Sequence, residues 1–220
     1  MAQRGRGAWR EAVHQASAMV FGSQCVVCGA VTGPVCASCL PMPDVQHRSL
    51  PGGLPCFSGA LWSDETASLM LALKQDGVTR IARELAPLLT AALDAAVPGG
   101  SAPAMLVPVP TRAAADRRRG YRPVEVLLRA AGLPFQRAMR VTSAVQDQRE
   151  LTRAERVRNT QGAFAVRRTA ENLGRVILVD DVVTTGATLV NSAQALQSAG
   201  ITVAASITVL STPKRHTGNA

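Results

Sequence analysis

The chain has 220 residues, 47% of them hydrophobic and 18% charged, enough apolar content for one sizeable α/β core and a small appendage. No apolar run approaches the roughly 20 residues a helix needs to span a bilayer, which argues against membrane insertion and gives the expectation of a soluble, cytoplasmic protein. The formal net charge is +9, and all of the excess lies between Ser101 and Arg175, where fifteen arginines face six acids while the rest of the chain balances at nine and nine. Such a segment suits the phosphates of a small ligand, a nucleic-acid backbone or a solvated surface. Only Tyr121, Phe135 and Phe164 interrupt it with aromatic rings, a poor basis for stacking single-stranded DNA.

At the N-terminus, residues 11–20 lack the continuous apolar stretch of a secretory signal and read as an amphipathic helix. Then come Cys25-Val26-Val27-Cys28 and Cys36-Ala37-Ser38-Cys39, two knuckles separated by a short Gly/Pro-containing loop. Four thiolates at this spacing can converge tetrahedrally on Zn²⁺ and leave no open position, so the metal would be structural. A disulfide pair and an iron–sulfur cluster use the same ligands and stay open. Cys56 stands outside the pattern and reads as a buried free thiol.

A Pro/Gly-rich connector from Pro41 to Pro55 separates this lobe from the remainder of the chain. Phe57 to Trp62 suggests a strand, Asp64 to Lys74 a helix capped by Asp64 and ended by Gly77, and Arg80 to Ala96 a second helix. Ala104 to Val109 predicts a strand, Tyr121 to Ala131 a helix, Phe135 to Val141 partly extended chain, and Ile201 to Leu210 a final strand. Strands alternating with helices imply a parallel-rich α/β sheet flanked by helices. The domain expectation is 1–45 for the N-terminal helix and four-cysteine lobe, 56–212 for the α/β domain, and 213–220 for a tail without structure of its own. His14, His47 and His216 lie outside every strong motif and read as surface residues.

The segment Val176-Ile177-Leu178-Val179-Asp180-Asp181-Val182-Val183-Thr184-Thr185-Gly186-Ala187-Thr188 carries the chemistry. Branched apolar residues in succession predict a strand buried on both faces, and open α/β sheets place ligands where such strands end. There Asp180 and Asp181 can accept hydrogen bonds from vicinal hydroxyls. Val182 to Thr188 forms the turn, whose threonines offer donors and whose Gly186 lets backbone approach an anion. The helix expected over residues 189–199 would aim its N-terminal amides at the same anion. Diol-binding acids followed by a phosphate-cradling turn describe a ribose 5-phosphate pocket.

This run resembles the signature of type I phosphoribosyltransferases, which bind phosphoribosyl pyrophosphate (PRPP). With the four cysteines, Lys74-Gln75-Asp76-Gly77, Pro108-Val109-Pro110 followed by Arg112, Arg119-Gly120-Tyr121, and the stretch from Gln148 to Phe164, it resembles the ComF family along nearly the whole chain. Gln75 and Arg122 depart from the residues usual in that family. The resemblance implies a type I phosphoribosyltransferase-like fold with an N-terminal zinc finger, transfer of a phosphoribosyl group to an unidentified acceptor, and an association with DNA uptake and competence.

It further implies that Val109, Pro110, Thr111 and Arg112 form a pyrophosphate loop and that 140–159 is a hood, with Gln148, Arg153, Arg156 and Asn159 as ligand contacts. Mg²⁺ would accompany PRPP, Asp180 and Asp181 would offset positive charge developing at the anomeric carbon, and Arg112 would stabilise departing pyrophosphate. Single-stranded DNA, competence-machinery proteins and a homo-oligomer are the further partners this resemblance leaves open. Two other readings compete with the enzyme: a non-catalytic module binding nucleic acid or a partner through the same fold, and a regulator that senses PRPP.

Overall fold

The structure, a computed structural model, describes residues 24–31, 33–97, 104–111, 118–142, 163–170 and 172–213. The expected N-terminal helix, Arg112, nearly all of the 140–159 hood and residues 214–220 of the tail lie outside them.

Five strands form one sheet in the order β1-β2-β7-β6-β3, with β1 at Gln46–Ser49, β2 at Pro55–Leu61, β3 at Met105–Pro108, β6 at Arg175–Val183 and β7 at Thr202–Ser211. β2, β7, β6 and β3 run parallel, and β1 joins the edge antiparallel to β2. A separate antiparallel pair joins β4 (Met139–Val141) to β5 (Phe164–Val166). The helices are α1 (Asp64–Lys74), α2 (Ala82–Ala96), α3 (Pro123–Ala130) and α4 (Ala187–Ser198).

The two-residue period of β6 divides its side chains between two cores. Ile177 and Val179 pack with Leu73, Leu85, Leu88, Leu127 and Leu128 from α1, α2 and α3, while Val176 and Leu178 pack with Leu189 and Leu196 of α4. Helices on both faces of a mostly parallel sheet are the α/β architecture the alternating pattern implies. Gly59 on β2 shows how close one layer lies: a Cβ there would come 2.1 Å from the Leu88 carbonyl oxygen of α2.

Local differences from the expectations have local causes. The α1 cap is Ser63, not Asp64; its hydroxyl accepts from the Thr66 amide while the Thr66 hydroxyl accepts from the Ser63 amide. The connector contributes a strand, because Gln46–Ser49 pairs with β2, and Leu50 and Leu54 enter the α4-side core. Val26, Val27 and Val35 from the cysteine segment pack against the other core. His47 is exposed as expected and lies against Phe57 with ring centroids 4.6 Å apart.

Candidate functional site

The buried run of β6 ends at the two carboxylates. Asp181 is 8% exposed and lies on the face of Ile177 and Val179, where α1 ends at Lys74, and the Lys74 Nζ sits 2.8 Å from Asp181 Oδ1. The Tyr121 hydroxyl donates to the Leu73 carbonyl, one residue before that lysine, and so ties the end of α1 to the start of α3. Asp180, half-buried on the opposite face, accepts a hydrogen bond of 2.9 Å from the Asp181 amide. Burial, and then the neighbouring Asp181 charge, push Asp180 up to about 8 against the opposing pull of Lys74 and the Asp181 amide. One ammonium thus serves two adjacent acids.

Asp180 and Val182 to Leu189 line an open hollow of about 220 Å³. Gly186 stands at its turn with φ +79°, a left-handed conformation that glycine adopts without strain, and passes directly into α4. Any Cβ at Gly186 would lie 2.5 Å from a Leu50 methyl. The Thr185 hydroxyl accepts from the Ala187 amide at 3.3 Å, a local cap on the first turn of α4. Thr184, Thr185 and Thr188 are all exposed at the hollow. Threonine hydroxyls, a glycine turn and a helix N-terminus therefore occupy one concavity with Asp180 on its wall, an arrangement chemically fit for a phosphorylated polyol.

β3 ends beside this hollow, since the Val109 amide donates to the Val179 carbonyl at 2.9 Å. Val109, Pro110 and Thr111 line a second concavity of about 330 Å³ together with Arg122, Glu125 and Arg137. Glu125 is 3% exposed and receives Arg122, Arg129 and Arg137, the last through Nε at 2.6 Å and a second nitrogen at 2.5 Å. Burial alone would raise this carboxyl, but the arginines outweigh burial and hold it below its ordinary value. The structure therefore brings Asp180, Val182, Val183, Thr184, Thr185, Gly186, Ala187 and Thr188 together around one hollow, sets Asp181 on the other face of β6 against Lys74, and places Val109, Pro110 and Thr111 in the adjoining concavity. Arg48, Arg137 and the pairing of Lys74 escape sequence reasoning: Arg48 lies in a strand without apolar alternation, and Arg137 meets Glu125 only through the tertiary fold.

The four cysteines converge as their spacing implies. Their sulfurs all lie within 4.8 Å of one another, with Cys28 and Cys36 at 3.6 Å, and none is bridged in a disulfide. Zinc–sulfur bonds of ~2.3 Å give a tetrahedron with edges of about 3.8 Å, so the cluster could hold a zinc ion. Burial disfavours the Cys25 thiolate, but amides of Cys28, Cys36 and Val27 outweigh it and bring Cys25 down to about 6. Cys39 is pushed up to about 12 by the Cys36 side chain, burial and the other sulfurs. Crowded thiols competing for negative charge are what a divalent cation relieves. Cys56 is completely buried and burial raises its thiol, consistent with an inert side chain.

No family model matches the chain, and no curated protein matches it. Among solved structures it is similar to an adenine phosphoribosyltransferase, at 14% identity and a TM-score of 0.38, over 76% of this chain and 84% of that one. The enzyme of the same name from Leishmania tarentolae aligns at 14% identity and TM-score 0.32, over 66% of this chain and 74% of that one. The one from Leishmania donovani aligns at 13% and 0.33, over 70% and 75%. At these values the chemistry rests on the residues of the site. No helix among the described residues is long and apolar enough to cross a membrane.

Proposed function

We propose that this chain binds ribose 5-phosphate and PRPP at the carboxyl end of β6 and acts as a phosphoribosyltransferase of the ComF kind, with an acceptor still to be identified. One observation carries the reading: near the carboxyl end of the doubly buried strand β6, Asp180 stands on the wall of the threonine-lined hollow at the start of α4, with Asp181 next to it in the chain. The 5-phosphate would be held by the Thr184–Thr188 turn and α4 amides, and the ribose hydroxyls by Asp180 and Asp181. Those carboxylates would also offset the positive charge that develops at the anomeric carbon when pyrophosphate departs. Val109, Pro110 and Thr111, on the strand beside, would position the pyrophosphate, with Arg112 following them in sequence.

Magnesium suits the carboxylate donors, and with Asp181 already paired to Lys74 it would be held by Asp180 together with ligand oxygens, supplying charge neutralisation of the pyrophosphate. Zinc in the Cys25, Cys28, Cys36 and Cys39 cluster would be structural. The main competing reading is a nucleic-acid-binding module using the arginine-rich middle of the chain. Arg122, Arg129 and Arg137 of that segment are drawn into the Glu125 cluster, which supports the enzyme reading over that module.

Calorimetric titration with PRPP and Mg²⁺, and separately with mixed-sequence single-stranded DNA at two salt concentrations, tests this. Saturable, magnesium-dependent PRPP binding is expected. Salt-sensitive DNA binding without PRPP binding would replace the proposal with the module.

A further inference from the structure

Arg48 lies on β1, in the stretch that reads from sequence as a connector, yet its guanidinium reaches the end of β6. It donates to the Thr184 carbonyl at 3.0 Å and the Val183 carbonyl at 3.0 Å, and a third bond of 3.3 Å goes to the Thr212 carbonyl just beyond β7. Two residues further on, the Leu50 side chain occupies the space beside Gly186. No carboxylate among the described residues forms an ion pair with Arg48, so its charge is spent on backbone dipoles at the turn.

In a planar trans peptide the carbonyl of one residue and the N–H of the next point in opposite directions. The guanidinium holds the Thr184 carbonyl and shares the Val183 carbonyl with the Thr212 amide, which donates to it at 3.0 Å, so the amides of Thr184 and Thr185 turn to the other side. Those residues line the hollow, and Arg48 does not. We propose that Arg48 is a positioning residue for the phosphate turn: its fork fixes two peptide planes so that their N–H groups face a bound phosphate, and its positive charge behind them adds to the attraction. This rests on the ribose-phosphate reading of the hollow and assigns a device to it. Arg48 touches the turn and not the ligand, and Leu50 holds the same turn by packing.

Arg48→Met removes fork and charge, and Arg48→Lys keeps charge without the planar fork. Ribose 5-phosphate affinity is expected to fall roughly tenfold to a hundredfold in Arg48→Met, with Arg48→Lys between it and wild type. In labelled protein, ribose 5-phosphate should shift the Thr184 and Thr185 amide signals downfield in wild type, and much less in Arg48→Met. The response of core amides such as Val176 should not change. Low concentrations of methylguanidinium should restore affinity to Arg48→Gly, which a general loss of stability would not allow. If wild type binds and Arg48→Met binds equally well with the same amide shifts, the positioning role is wrong and the pocket stands. If Arg48→Met does not fold, wild-type affinity in Arg48→Lys overturns the role of the fork. If wild type itself does not bind ribose 5-phosphate, both readings fall.

Discussion

Glu125, buried, and Asp180, half-buried, are acids near the carboxyl edge of one sheet, and they are treated in opposite ways. Glu125 is met by three arginines and held below its ordinary value. Asp180 shares one lysine with its neighbour and is pushed up to about 8. A carboxylate whose charge is fully answered by the fold contributes to stability. One left under-compensated beside a concavity has its interaction still to make, and costs stability until a ligand makes it. Under the proposed function, the difference would separate an acid that serves the fold from one that serves the ligand.

The largest expected effect breaks the structural side. Glu125→Gln strands three guanidinium groups around a neutral amide. Losing one partner of a buried ion cluster costs roughly 3–5 kcal/mol, discounted here to about 2–3 because the arginines are partly exposed. Chemical denaturation should show this loss, with ligand affinity per folded molecule changed little. Asp180→Asn should do the reverse and leave the melting temperature equal or raised while ribose 5-phosphate affinity falls about tenfold to a hundredfold.

The pH dependence sharpens the same contrast. Glu125 is lowered from 4.5 on folding, so its contribution is fully present above that value and fades as pH falls through the lower folded value. Asp180 is raised from 3.8 to about 8, so the unfolded chain ionises first and the ligand-free protein loses stability as pH rises between those values. Asp180→Asn should flatten that alkaline decline, seen in denaturation midpoints across pH 5 to 8.5. Ribose 5-phosphate requiring ionised Asp180 should bind more tightly as pH rises toward 8 and release protons on binding. Calorimetry in buffers of different ionisation enthalpy reads that release directly.

Changes in the cysteine lobe should disturb the α/β core least. One zinc per chain is expected by elemental analysis of reduced protein, and Cys25→Ser should lose it and loosen the lobe. The sheet and its helices should stay substantially folded by circular dichroism, because Val26, Val27 and Val35 only border a core built by α1, α2 and α3. Protein prepared reduced and free of both zinc and iron would contradict the metal assignment.

Much of this arrangement is legible in the sequence because burial writes itself as pattern. Val176 to Val179 can be a run of branched apolar residues only where helices cover both faces, and the cysteines keep metal spacing. Gln46–Ser49 is not legible as a strand, since an edge strand of Gln, His, Arg and Ser carries no apolar period. The cap at Ser63 is a one-residue competition between neighbouring side chains. Arg137 and Glu125 are twelve residues apart, and nothing local announces their contact. Where the chain's own neighbours decide a conformation the sequence suffices, and where a partner arrives through the fold it does not.

The central claim is tested most directly by competition binding of ribose 5-phosphate to wild type, Asp180→Asn, Asp181→Asn, Thr185→Val and Gly186→Val, each verified as folded. Ribose 5-phosphate lacks pyrophosphate and so isolates the hollow at the end of β6. The account predicts weakened binding in all four, the aspartate variants through lost hydroxyl contacts and the turn variants through lost phosphate contacts. Four folded variants that bind ribose 5-phosphate as wild type does would show that this turn is not the ribose-phosphate site.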